Sequence, residues 1–192
     1  MREEITKMSL LSSHDKEKKL SSEDILVSKT DVGGRITYGN DTFIEISGYS
    51  KEELVGQPHN IIRHHDMPKA IFYIMWQSIK RGQNIMAVVK NLTKDGKYYW
   101  VTTDFDIQRN RDGAIRNYIA FREPTPRKVI KEVEKLYATL LDIEKKKGEK
   151  QSIEYLNIFL EEKNMTYNEY IQDLARPKGI GEKLLERMKS FL

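Results

Sequence analysis

An α+β sandwich is the fold class this sequence predicts: a five-stranded antiparallel sheet with short helices and one long helix on one face, followed by an all-helical tail. Three observations predict it. Apolar residues alternate with a period of two in five short segments between Ile25 and Glu123. A single helical-period segment, Pro68 to Arg81, separates the second of these from the third. Beyond Pro124 and Pro126 the spacing is helical.

The first two strands are ILVSKTD and RITYGN, joined across Gly33 and Gly34, because paired glycines supply the positive φ of a hairpin turn. Two short helices follow in DTFIEISGYSKEEL. Asp41 is the expected cap of the first, and Ser50 with Glu53 makes the capping box of the second. In the long helix Ile71, Ile74, Met75, Ile79 and Trp76 recur at helical spacing, with Pro68 suited to its first turn and Gly82 past its end. The last three strands are NIMAVVKNLT, KYYWVTTDFDIQ and AIRNYIAFRE, separated by turns at Lys94 to Gly96 and Asn110 to Gly113, and they should pair antiparallel in sequence order. Sheet and helical layer then enclose a cavity between them.

In the tail, Val129, Val133, Leu136, Leu140 and Ile143 draw one apolar seam that ends at KKKG. A second helix is expected from Ser152 to Lys163, and a third from Thr166 with Glu169 as its capping-box partner. A fourth after Gly181 would carry Leu184, Leu185, Met188 and Phe191.

The 192 residues carry 33 Lys and Arg against 29 Asp and Glu, a net charge of +4 that is interleaved along the chain and selects no partner. The absence of cysteine excludes disulfides, thiolate zinc, iron-sulfur clusters, a cysteine nucleophile and a cysteinyl-flavin adduct. No stretch approaches the ~18 apolar residues of a membrane span, and the N-terminal residues lack a signal-peptide core. A cytoplasmic protein without direct membrane insertion is expected. Neither a phosphate-binding Gly-rich loop with its lysine, nor a nucleophile elbow, nor a His-Glu-x-x-His motif is present, so no enzymatic role is expected.

The run ITYGNDTFIEISGYSKEELVGQPHNIIRHHDMPKAIFYIMW, followed by VVKNLTKDGKYYWV, resembles the PAS domain of bacterial aerotaxis receptors. The string GQPHN-x-x-RH-x-DMPKA with its following Met-Trp carries most of the likeness. The resemblance implies a PAS fold at residues 24–123, a charged N-terminal cap or arm at 1–23 and a helical signalling or partner-binding tail at 124–192. It also implies non-covalent binding of FAD, whose redox state would be reported to the chemotaxis machinery. The overall plan looks like the soluble PAS partners of bipartite energy-taxis systems. The implied partners are a membrane-bound chemotaxis transducer or signalling protein, or a second copy joined through the flanking helices.

Such a cofactor needs an apolar slot, polar groups at its ring edge and cationic groups for its phosphates. Asn40, Asn60 and Asn91 offer amides, Trp76 and Trp100 flat apolar faces, and Arg63 and His64 contacts to pyrophosphate or adenine, with Asp66 orienting Arg63 or accepting from ribose. Each has a plainer reading too: asparagines cap turns, tryptophans fill cores, and Arg63 with Asp66 makes a loop ion pair. The chain has His65 where the family has proline, which opens a haem b gas sensor as an alternative, with His59, His64 and His65 as candidate iron ligands. A weaker alternative is a nucleic-acid-binding regulator, since Gly179-Ile180-Gly181 before a basic helix resembles a helix-hairpin-helix module.

Overall fold

The computed structural model describes residues 16–175. Strands β1 (Leu26–Asp31), β2 (Ile36–Gly39), β3 (Ala87–Leu92), β4 (Tyr98–Arg109) and β5 (Ile115–Pro124) form one antiparallel sheet in the order β2-β1-β5-β4-β3. The hairpins lie where the turn residues place them, with Asn91 opposite Tyr99 and Thr103 opposite Arg122. β1 pairs with β5, Ser28 opposite Ala120, so the first and last strands meet inside the sheet.

One face of the sheet carries α1 (Asp41–Ser47), α2 (Lys51–Leu54), a 3-10 turn (His59–Ile62) and α3 (Lys69–Lys80). The cap of α1 is Asn40, one residue earlier than expected. Its extended backbone lets Oδ1 accept from both Phe43 N and Val27 N while Nδ2 donates to the Ile25 carbonyl, so it ties α1 to β1. Asp41 instead occupies the first turn, where its charge complements the helix dipole. The Ser50 and Glu53 capping box forms as expected. Along α3, Ile71, Met75 and Ile79 are buried, while Ile74 and Trp76 lie at the border of the core.

The tail forms α4 (Arg127–Lys147), α5 (Glu149–Glu162) and α6 (Tyr167–Ala175). The α4 seam of Val129, Val133, Leu136 and Leu140 is buried and continuous with the core of the sheet domain. It packs on the sheet face opposite α3, where the Tyr137 hydroxyl donates to the Val88 carbonyl at 2.6 Å and its ring lies against Trp100. At Gly148 (φ 95°) the chain turns into α5, and Asn168 at the start of α6 accepts from Met86 N beside β3. Glu144 near the end of α4 reaches the N-terminus of α3, where Pro68 supplies no side-chain cap, and accepts from Ala70 N at 3.0 Å. The helix expected after Gly181 and the Gly179-to-Gly181 hairpin lie outside the described residues. No helix among the described residues is long and apolar enough to cross a membrane.

Candidate functional site

Between the sheet and α3 lies a cavity of about 580 Å³, a volume ordinary for a small-molecule pocket. Its apolar walls come from Met75, Trp76 and Ile79 on α3 and from Val89, Phe105, Tyr118 and Ala120 on the strands. The Trp76 indole meets Tyr118 edge to face and lies over Gly34, where φ is +81° and an added Cβ would sit 2.8 Å from the indole. Glycine is therefore required there twice, for the backbone and for the ring.

Strand alternation sends polar groups into the sheet side of this cavity. Ser28, Asn91, Thr103 and Arg122 all line it and are all at least nine-tenths buried. Among the described residues, Asn91 Nδ2 and Thr103 Oγ1 lack a hydrogen-bond partner of good geometry. Arg122 donates to Ser28 Oγ at 2.9 Å, to His59 Nε2 at 2.9 Å and to the Ala120 carbonyl. It makes no ion pair among the described residues, and burial pushes its guanidinium down to about 10, still charged at neutral pH. Because a guanidinium only donates, the Nε2 of His59 is the unprotonated nitrogen. The opposite end of the cavity is bordered by exposed Lys69, Tyr73, Lys80 and Glu149 and by half-buried Arg63.

Burial and the adjacent Arg122 charge push His59 down to about 3. The folded protein thus keeps His59 neutral, whereas the unfolded chain protonates it near pH 6.5. The unfolded state binds the extra proton between about pH 6.5 and about 3, so stability falls as pH drops through that window. His59→Gln, which retains an acceptor for Arg122, should flatten this slope in urea unfolding measured across that range. An unchanged slope would mean that His59 titrates normally in the fold.

The structure divides the sequence-predicted residues between two faces of the sheet. Asn60, Arg63, Trp76 and Asn91 border the cavity, and so does His59. Asn40 caps α1 away from it. The loop from Arg63 to Asp66 passes around the β3 edge. Arg63 bridges to the Asn91 backbone, places its guanidinium 4.3 Å from the Phe72 ring and donates to the Met67 carbonyl. His64 is buried between His65 and Tyr98, and its Nδ1 accepts from Asp66 N. Asp66 emerges on the α4 side and accepts from Lys90 Nζ at 2.6 Å. Burial alone would raise this carboxyl, but the hydrogen bond and charge of Lys90, with His64 and His65, hold it below the usual range.

Trp100 joins Asp66, Lys90 and Tyr137 around a second cleft of about 380 Å³, between the sheet and α4. His64, His65 and Asp66 place ligand atoms within 4.8 Å of one another, but none of the three lines the main cavity. Ser28, Thr103 and Arg122 were not among the residues predicted from sequence. The available signal was parity: each is a polar residue on the inward-facing positions of its strand.

This architecture is that of a PAS domain, and residues 36–122 match the family model for the PAS fold. The domain is of the aerotaxis-receptor type. The aerotaxis receptor of Escherichia coli is 43% identical over 121 residues, which are 63% of this chain and 24% of that receptor. The nitrogen fixation regulatory protein of Klebsiella pneumoniae is 30% identical over 98 residues, 51% of this chain and 20% of that protein. The chain thus spans a quarter or less of the length of these relatives. The light-state structure of the blue-light photoreceptor Aureochrome1 LOV superposes with a TM-score of 0.50 at 17% identity, covering 64% of this chain and 94% of that one, a likeness of fold.

Proposed function

We propose that this protein is a cytoplasmic redox sensor that binds FAD non-covalently and passes the flavin's redox state to the taxis machinery. The observation that carries the reading is the cavity itself, within a PAS domain of the aerotaxis-receptor type: an apolar slot, buried unsatisfied donors at Asn91 and Thr103 on the sheet side, and cations at the open end. Asn91, Thr103 and Arg122 would hold the ring's polar edge, Trp76 and Met75 its faces, and Arg63 and Lys69 the phosphates. The bound flavin would supply reversible electron uptake, with the protein setting which state is favoured. Asn40, His64, Asp66 and Trp100 would act on the fold and on transmission, because none of them borders the cavity.

A route outward is built into the loop that straddles β3. Arg63 faces the cavity, and three residues later Asp66 holds Lys90 beside Trp100 and α4. A change in the contacts of Arg63 therefore acts on the surface that carries the tail. A ligand biases such an element only through contacts that differ between its states. The tail helices are then the coupling surface for a membrane-bound transducer or for a second copy of the chain.

The test is the absorption spectrum of the purified protein with the released cofactor identified by mass, before and after dithionite under argon. A flavin band that bleaches, with FAD released, is the expected result. A Soret band would move the assignment to haem and to His59, His64 and His65. A protein that takes up neither would overturn the sensor reading.

A further inference from the structure

The closed side of the cavity presents a permanent positive charge that no carboxylate among the described residues meets. Arg122 is 4% exposed, and its hydrogen-bond acceptors are a hydroxyl, an imidazole nitrogen and a carbonyl, all neutral. Glu149 is the single carboxylate among the described residues that line the cavity, and it stands at the solvent-facing end. A buried, unpaired cation is unfavourable unless a ligand brings a compensating charge. Its neighbours reinforce the demand, since Thr103 Oγ1 and Asn91 Nδ2 make no hydrogen bond of good geometry among the described residues, Asn91 having only the Tyr99 hydroxyl beside it.

We propose that Arg122 is a redox-tuning residue that selects the anionic form of the reduced cofactor, so that the bound ring is reduced by two electrons with uptake of one proton. The inference rests on the flavin reading above. With dithionite as the source of the two electrons, the single proton would go to the central ring, and the negative charge left on the reduced ring would be balanced by the guanidinium of Arg122. The oxidised ring is neutral, so Arg122 favours the reduced state over it and raises the potential. The other titratable groups described on this side offer no competing charge. His59 is held neutral by burial and by Arg122, and burial pushes the Tyr99 hydroxyl up to about 12. Burial pushes the hydroxyl of Tyr118 on β5 up as well. Toward the opening, Arg63, Lys69 and Lys80 add positive charge, and Glu149 lies 3.9 Å from Lys69.

The potential of the FAD-loaded full chain, measured against pH on the weakly acid side where free reduced flavin is neutral, reads the proton count directly. One proton per two electrons gives about 30 mV per pH unit, two give about 59 mV. The wild type should follow the shallow line, Arg122→Lys should keep it, and Arg122→Gln should move to the steep one with a lower potential at neutral pH. If Arg122→Gln does not fold, the wild type still decides: a two-proton slope there overturns the inference. Equal slopes in wild type and Arg122→Gln overturn it as well. A chain that takes up no flavin at all ends the flavin reading and the inference together, whereas a loaded chain with the steep slope ends only the inference.

Discussion

Replacing Tyr137 by alanine is expected to cost about 3–5 kcal/mol of folding stability, the range for truncating a large buried aromatic side chain. Tyr137 sits where the tail meets the sheet. It is 2% exposed, its ring packs on Trp100, and its hydroxyl donates to the Val88 carbonyl and lies 2.6 Å from the Tyr167 hydroxyl of α6. Burial first, and then Tyr167, push its own ionisation far above the ordinary tyrosine range, so it stays a neutral hydroxyl throughout. Tyr137→Phe separates packing from hydrogen bonding. It keeps the ring and removes the donor to the Val88 carbonyl and one partner of the Tyr167 hydroxyl, which retains the Val88 backbone, at a cost of about 1–3 kcal/mol. Urea unfolding followed by tryptophan fluorescence would check both, because Trp100 is the partner of the ring. A loss in Tyr137→Ala below about 1 kcal/mol would mean that α4 is not part of the cooperative core, and the tail would then be a separate arm.

That dependence was not legible in the sequence. The heptad-like seam of Val129, Val133, Leu136 and Leu140 announces a helix that needs a partner, but the partner is the face of β3 and β4 opposite α3. Local periodicity reports which face of an element is buried and is silent on what buries it. The same limit explains the strand order. Alternation and turn residues give all five strands and three hairpins, yet the pairing of β1 with β5 is non-local and has no local signal.

The candidate site divides for a related reason. Arg63 and Asp66 are three residues apart in a motif, and nothing in their spacing says that the loop rounds the edge of β3 and leaves them on opposite faces. Asn40 looks equally suited to a ligand or a cap, and its extended backbone before α1 makes it the cap. Arg122 was legible in principle. In AIRNYIAFRE it shares inward parity with Tyr118 and Ala120, and a charged residue on the apolar parity of a strand is a buried charge or a ligand contact.

Removing Arg63 is expected to weaken FAD binding by about 10- to 100-fold, since hydrogen bonds to a charged partner are worth about 1.5–3 kcal/mol and each 1.4 kcal/mol is tenfold. The Arg63 guanidinium is held by the Met67 carbonyl and the Phe72 ring, with Glu144 and Glu149 close enough to favour its charged form against burial. A phosphate arriving at the open end competes with those carboxylates for the same cation. The two sides of that competition should move in opposite directions: Arg63→Ala weakens binding, and Glu149→Gln, which removes an exposed negative charge, tightens it. Riboflavin supplies the internal control, because it has the ring but no phosphate, and its binding to Arg63→Ala should be little changed. Fluorescence titration of the apoprotein with FAD, FMN and riboflavin would resolve the three cases. An equal loss of all three ligands would make Arg63 a support of the loop between the 3-10 turn and α3, and the phosphates would then have to be met by Lys69 or Lys80 at the same opening.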